Sequence, residues 1–348
     1  MQPFESLENY LTNRVAGEEI TAEVAQVILA ITNATQEISA LVSRGSLAGA
    51  LGAARGDNSD GDVQKELDIV ANDIIIDALK DAPVAWLVSE EIERAKNISP
   101  GSPLIVAIDP LDGSSNIDTN TAVGTIFSIL PMDETRDPAN ADVVLQRGTR
   151  QLAAAYVIYG PQTALVLTTG HGTHIFTLDK DTGDYRLTNP DITVPETTRE
   201  FAINVSNFRH WDRHIRAYID GCLAGEDGQR DSNYNMRWLA SLVAECHRIF
   251  SRGGVFLYPS DARKGYAAGR LRLLYEVNPI AFLVEQAGGM ASTGRQRVME
   301  VDPLSIHQRI PMIFGSRHEI RRVERYHNET GSSGERSQLF GKRGLFRT

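Results

Sequence analysis

Cysteine is scarce in this 348-residue chain: Cys222 and Cys246 are the only two, and their spacing matches no metal-ligand motif. Two thiols build no disulfide framework and imply no oxidising compartment, so both are expected to be small buried residues. Long apolar runs are missing too. None approaches the roughly 18 residues that a membrane-spanning helix needs. Positive charge is in short supply: 35 Lys and Arg stand against 45 Asp and Glu, a formal net charge of −10. That balance argues against nucleic acid as the main partner, because phosphate backbones select basic surfaces, and it suits a protein whose acids gather divalent cations. The first 13 residues are acidic and lack a basic region followed by an apolar stretch, so no secretion signal is expected. The expected place is the cytoplasm, away from membranes. Internal repeats are also absent. What is present is ordinary for a globular protein, 42% hydrophobic and 23% charged residues, in a chain long enough for two packed lobes or one large domain.

Val24, Val27, Ile28, Ile31, Ile38 and Leu41 recur near helical spacing and predict a helix over 20–42. Residues 44–62 hold five glycines with Ser46, Asn58, Ser59 and Asp60, the composition of a mobile loop rather than a regular element. A second helix is expected over 63–80, with Leu67, Val70, Ile74 and Leu79 facing the core. Short apolar runs at 84–88, 104–108, 125–130, 153–159 and 164–168 read as buried strands. The stretch 188–198, with Pro190 and Pro195, is the best internal boundary. Beyond it, expected strands at 201–205, 254–258 and 312–314 alternate with expected helices at 213–223, 237–250 and 279–287. The pattern is α/β throughout. It divides into an N-terminal lobe (1–195), a C-terminal lobe (196–327) and a tail (328–348) whose Gly, Ser, Arg and Lys predict disorder.

The most informative string is Ile105-Val-Ala-Ile-Asp109-Pro-Leu-Asp112-Gly-Ser-Ser-Asn116. An apolar strand runs into two carboxylates, and Pro110 is expected to force a turn that sets Asp109 and Asp112 on one side. Gly113, Ser114 and Ser115 then offer backbone N–H groups and hydroxyls as an anion cradle. Acids beside a phosphate cradle repel their ligand unless a cation lies between them. Glu90-Glu91 closes the strand at 84–89, and Glu276 closes Leu271-Arg-Leu-Leu-Tyr-Glu. Asp62 and Asp68 flank the start of the second helix. Each has an ordinary reading: a common turn, a solvated strand end, a helix N-cap. Together they place acids at three strand ends, one of which runs into the cradle. Oxygen donors without a Cys/His cluster point to Mg²⁺ or Mn²⁺.

At this point the chain resembles class I fructose-1,6-bisphosphatase of the bacterial type. The strings that carry the likeness are Gly61-Asp-Val-Gln-Lys-Glu-Leu-Asp68, Leu87-Val-Ser-Glu-Glu91, Asp109-Pro-Leu-Asp-Gly-Ser-Ser-Asn-Ile-Asp118, Val123-Gly-Thr-Ile-Phe127, Phe256-Leu-Tyr-Pro259, Leu271-Arg-Leu-Leu-Tyr-Glu276 and Ala287-Gly-Gly-Met290. The resemblance implies a two-lobed sugar-phosphatase fold, layered α-β-α-β-α, and a homotetramer. It implies two or three Mg²⁺ per subunit on Glu90, Asp109, the Leu111 carbonyl, Asp112 and Glu276. Asp112, Gly113, Ser114 and Ser115 would hold the 1-phosphate with Arg272 nearby. Asn204, Tyr258 and Arg270 would hold the sugar and the 6-phosphate, and Arg237 would reach in from a neighbouring subunit. Asp68 and Glu91 are the expected proton acceptors for the attacking water, and Asp62 would complete the site when its loop closes.

Three departures bear on that likeness. The usual 6-phosphate lysine is Arg270 here, which keeps the charge and adds a two-pronged grip. Two tyrosines of the animal enzymes appear as Asn207 and Trp238. Pro103-Leu104 and Pro131 stand where the animal enzymes bind AMP, so inhibition by that nucleotide is expected to be weak or absent. The cysteine-bearing loop of the chloroplast type is missing as well. The rival substrates are the seven-carbon bisphosphate and inositol phosphates. The Trp-Asp-x-Ala-Ala-Gly string of inositol phosphatases does not occur, and Glu276-Val-Asn-Pro takes its place. A silent sugar-phosphate sensor is the non-enzyme rival, disfavoured because every acid named above is present.

Overall fold

The computed structural model describes residues 4–48, 54–57, 63–133 and 135–328. Asp62 lies outside the described residues, as does the expected tail after Asn328. The chain opens with helices α1 (Leu7–Ala16) and α2 (Ala22–Arg44), followed by strands β1 (Ala54–Asp57) and β2 (Val63–Lys65) and helix α3 (Glu66–Leu79). Next come β3 (Val84–Ser89), β4 (Lys96–Asn97), β5 (Leu104–Asp112), β6 (Val123–Pro131), β7 (Ala153–Tyr159), β8 (Thr163–Thr168), β9 (His174–Leu178) and β10 (Tyr185–Asn189). The second half runs β11 (Glu200–Ala202), α4 (Arg213–Ala224), β12 (Asn235–Met236), α5 (Leu242–Arg252), β13 (Val255–Tyr258) and β14 (Leu271–Arg272). A π-helical turn (Leu273–Val277), α6 (Asn278–Gln286), β15 (Met290–Ser292), β16 (Arg309–Ile310), β17 (Met312–Gly315) and α7 (Arg317–Asn328) complete it.

Two sheets organise the molecule. The larger has the order β10-β9-β8-β7-β6-β5-β3-β4, antiparallel except where β3 runs parallel to β5; the smaller has the order β12-β11-β13-β17-β15. Strand alternation divides the core into layers. Along β7, Ala153, Ala155, Val157 and Tyr159 join α1, α2 and α3, whereas Ala154, Tyr156 and Ile158 face α5 and α6. Along β13, Phe256 faces that same middle layer, and Val255 and Leu257 face Ile215 and Ile219 of α4 and Ile320 and Val323 of α7. The sequence of layers is helix, sheet, helix, sheet, helix. Among the described residues no helix is long and apolar enough to cross a membrane. Both cysteines are buried.

Several expected elements differ in extent. The glycine-rich stretch is not all loop: a short 3₁₀ turn covers Gly45–Ala48 and β1 covers Ala54–Asp57, which pairs with β2. The second helix starts at Glu66 because β2 takes the first residues expected of it. The helix expected from 237 starts at Leu242, since Ser241 caps it by accepting from the Ala244 N–H and Ala240 before it has a φ of 56°. Helix α1 was not expected, although Ser6 caps it and Leu7, Tyr10 and Leu11 form its buried stripe.

Gly124 on β6 lets the middle layer approach the sheet. A Cβ there would lie 2.3 Å from the Val157 carbonyl oxygen and 2.8 Å from the Val243 side chain at the start of α5. Gly124→Ala is therefore expected to destabilise the protein by about 1–3 kcal/mol, as overpacking does. A denaturant midpoint equal to that of the unsubstituted chain would show that both β7 and α5 can shift to make room.

Candidate active site

Asp109 and Asp112 share a face for a reason that the sequence does not display. In a regular strand, residues three apart point to opposite sides. Here β5 continues through Pro110 instead of turning, and its register against β6 slips: Asp109 pairs with Ile126 and Asp112 with Gly124, so one extra residue is accommodated. This bulge returns both carboxylates to one side. It is fixed by the Leu111 N–H, which donates to Asp109 Oδ1 at 2.9 Å. Thr125 Oγ1 donates to the Pro110 carbonyl at 2.8 Å and shares a 2.7 Å hydrogen bond with the Tyr159 hydroxyl. The N-terminus of α5 then meets Asp112, whose Oδ2 accepts from the Val243 N–H at 3.2 Å. Gly113, with a φ of 77°, leads into the 3₁₀ turn Ser114–Thr119, and Asn116 Nδ2 ties that turn to the Ala240 carbonyl at 2.8 Å.

Glu276 arrives differently from the expectation. It does not end a strand, because β14 stops at Arg272 and the chain enters the widened π-helical turn, a feature frequent at functional sites. The Arg272 backbone N–H donates to Glu276 Oε2 and fixes the carboxylate. Asp109, Asp112 and Glu276 each present an oxygen within 4.8 Å of the other two, and the three residues are 1%, 7% and 8% exposed. Glu90, just past β3, lies in hydrogen-bond reach of Asp109. Its turn is anchored by Ser89, whose hydroxyl donates to Asn72 Oδ1 at 2.8 Å and accepts from the Glu91 N–H at 3.3 Å. Asn72 lies one helical turn after Asp68 on α3, so the buried Asp68 shares a face with the residue that holds this turn.

Burial out of water raises every carboxyl of the nest, and crowding of like charges adds to it at Glu90, Asp109 and Glu276. Burial, then Glu91, pushes Glu90 up to about 8. Burial pushes Asp112 up to about 6 against the pull of the Val243 and Leu242 N–H groups. Burial and then Glu90 hold both Asp109 and Glu276 well above the usual carboxylate range. Four acids so placed bind either protons or a cation. Their all-oxygen donor set fits a hard divalent ion such as Mg²⁺ or Mn²⁺.

Beside this nest lies a small recess lined by Asn204, Asn207, Tyr258, Arg263, Tyr266 and Arg270, among others. Three residues expected at the sugar end, Asn204, Tyr258 and Arg270, thus come together. Arg270 Nη1 bonds the Tyr266 hydroxyl at 2.8 Å, and the guanidinium sits 4.7 Å from that ring. Arg263 covers the same ring at 4.1 Å and pairs with Asp261. Sequence reasoning missed Arg263 and Tyr266, although Tyr266 and Arg270 stand four residues apart. Tyr258 connects recess and nest, because both Arg270 and Glu276 act on its hydroxyl once burial has raised it. Arg237 does not line the recess: its side chain is 48% exposed and faces Glu200 at 3.5 Å.

Comparison with known proteins agrees across the chain. Residues 7–190 match the family model described as fructose-1-6-bisphosphatase, N-terminal domain, and residues 194–328 match the corresponding C-terminal domain. The class 1 fructose-1,6-bisphosphatase of Sinorhizobium medicae is 51% identical over 98% of this chain and 99% of its own length, and that of Rhizobium meliloti is 52% identical over the same shares. The holo crystal structure of Leishmania major fructose-1,6-bisphosphatase superposes with a TM-score of 0.87 at 34% identity, covering 94% of this chain and 100% of that one. The apo form of the same enzyme gives 0.82 at 31% identity, over 93% and 99%.

Proposed function

Since the chain belongs to the class 1 fructose-1,6-bisphosphatase family, a family of phosphatases, we propose that it releases the 1-phosphate of fructose 1,6-bisphosphate by a Mg²⁺-dependent hydrolysis. The observation that carries this is the buried nest of Asp109, Asp112 and Glu276 beside an arginine-lined recess. A substrate with one phosphate at each end suits that pairing of sites. Glu90, Asp109, the Leu111 carbonyl, Asp112 and Glu276 would hold the cations. When bound, the cations supply the positive charge that lets phosphate oxygens and a water approach so many carboxylates. The backbone N–H groups from Gly113 to Ser115, with Arg272, orient the phosphoryl group. Asp68 and Glu91 take the proton of the attacking water. Asn204, Tyr258 and Arg270 hold the sugar and its 6-phosphate. Arg237 serves the site of a neighbouring copy in a homotetramer, and Asp62, beyond the described residues, completes the acid set.

Phosphate release from the six-carbon bisphosphate, the seven-carbon bisphosphate and inositol 1-phosphate, each with Mg²⁺, Mn²⁺ or chelator, tests this reading. The expected result is turnover of the six-carbon bisphosphate with either cation and none in chelator. Undiminished turnover in chelator, or inositol phosphate as the best substrate, would overturn it.

A further inference from the structure

Glu90 and Glu276 reach the nest from segments far apart in the chain, and both segments touch one side chain outside it. His307 precedes β16, beside the π-helical turn: the Leu273 N–H donates to the Gln308 carbonyl at 2.8 Å, and Leu271 and Arg272 pair with Ile310 and Arg309. From there the imidazole points both ways. Its Nε2 lies 3.1 Å from the Ile92 carbonyl oxygen, and its Nδ1 lies 2.8 Å from the Tyr275 hydroxyl.

A carbonyl oxygen only accepts, so Nε2 carries the proton and donates it to Ile92. In the neutral ring that leaves Nδ1 to accept from the Tyr275 O–H. Both contacts are satisfied by a neutral ring in one tautomer. Ile92 follows directly on Glu90 and Glu91, and its own N–H returns to the Ser89 carbonyl at 3.4 Å, so residues 89–92 form one turn. Tyr275 precedes Glu276, is fully buried, and meets the imidazole edge-on at 5.9 Å. The same tyrosine hydroxyl feels the charge of Glu90, which places the bridge close behind the carboxylates.

We propose that His307 is a positioning residue for divalent cation binding, spacing Glu90 and Glu276 through the Ile92 carbonyl and the Tyr275 hydroxyl. The proposal rests on the cation reading given above. Acids that are ionised without a cation push the two segments apart, and a bridge outside the nest resists that drift without adding a carboxylate to it. Groups hydrogen-bonded to metal ligands commonly set metal affinity by about 10–100-fold, and His307 stands one link further back, on residues that adjoin Glu90-Glu91 and Glu276 in the chain. The choice of cation sharpens the expectation. Mg²⁺ demands near-octahedral geometry at short distances, whereas Ca²⁺ accepts irregular shells, so loosening the bridge penalises Mg²⁺ more.

The test titrates Mg²⁺ and Ca²⁺ into the full chain without substrate, following heat of binding and melting temperature. His307→Ala is expected to weaken Mg²⁺ binding about 10–100-fold and Ca²⁺ binding distinctly less. His307→Gln, which keeps a donor and an acceptor, should recover part of the loss. Tyr275→Phe removes one hydroxyl and keeps the ring, and it should shift the Mg²⁺ midpoint in the same direction should His307→Ala fold poorly. A lower melting temperature with unmoved Mg²⁺ midpoints in His307→Ala and Tyr275→Phe would mean ordinary packing, and it overturns the proposal alone. An unsubstituted chain that gains no stability from either cation overturns this proposal together with the cation reading.

Discussion

Asp109→Asn is expected to cut phosphate release by about 10³-fold or more and, in chelator at pH 8, to melt at a higher temperature than the unsubstituted chain. The two effects share one cause. Asp109 is 1% exposed and has an oxygen within 4.8 Å of oxygens on Asp112 and Glu276. Burial and then Glu90 act against its ionised form. An amide of the same shape removes one of the mutually repelling charges, so the cation-free nest relaxes. The amide oxygen still accepts from the Leu111 N–H, as Asp109 Oδ1 does at 2.9 Å, so the bulge in β5 persists. Activity is expected to fall because the proposed cation site loses a charged ligand; a 10³-fold loss corresponds to about 4 kcal/mol of transition-state stabilisation, within the several kcal/mol attributed to metal-ion charge. The measurements are kcat at saturating substrate and thermal melts in chelator. A variant that melts earlier in chelator would mean that Asp109 acts as a structural hydrogen-bond acceptor and not as a repelled charge.

How far the sequence discloses this site can be judged residue by residue. Asp109 and Asp112 are legible because an apolar strand runs directly into two carboxylates and a Gly-Ser-Ser cradle, with further acids at other expected strand ends. Their common face is not, because the bulge depends on which residues of β6 lie opposite, a tertiary fact. Glu276 is legible as an acid after an apolar run, but Leu271-Arg-Leu-Leu-Tyr reads equally as strand or buried helix. Its π-helical turn is held by the pairing of β14 with β16, nearly forty residues away in the chain. Helix α5 was expected too early because Arg237, Trp238 and Leu239 look helix-compatible. The structure instead uses that stretch as a loop, where the Leu239 N–H donates to Glu245 Oε1 at 2.7 Å. His307 carried no local signal: a lone histidine is most often an ordinary core or surface residue, and its two partners lie 215 and 32 positions away. The buried strands were legible as short apolar runs, but which face of β7 and β13 meets which core was not, because both faces are apolar and only the folded chain separates them.

The same nest predicts a stability profile that depends on both pH and cation. In chelator the protein is expected to lose stability steadily as pH rises from about 5 to 8. Unfolded Asp and Glu side chains titrate near 3.9 and 4.3. In the folded chain burial alone lifts Asp112 to about 6, and burial aided by neighbouring acids lifts Glu90 to about 8 and raises Asp109 and Glu276 as well. Between those limits the folded state keeps protons that the unfolded state has released, so the unfolding free energy falls with rising pH. Below about pH 4 both states are protonated and these groups exert no slope. On the proposed cation reading, Mg²⁺ is expected to take the place of the protons and to bind more tightly as pH rises, so the rise in melting temperature that it gives is expected to be larger at pH 8 than at pH 6. Melting curves at half-unit pH steps, in chelator and in saturating Mg²⁺, measure both slopes. A chelator curve that stays flat or climbs from pH 5 to 8 would show that the four carboxyls are not crowded enough to require a cation.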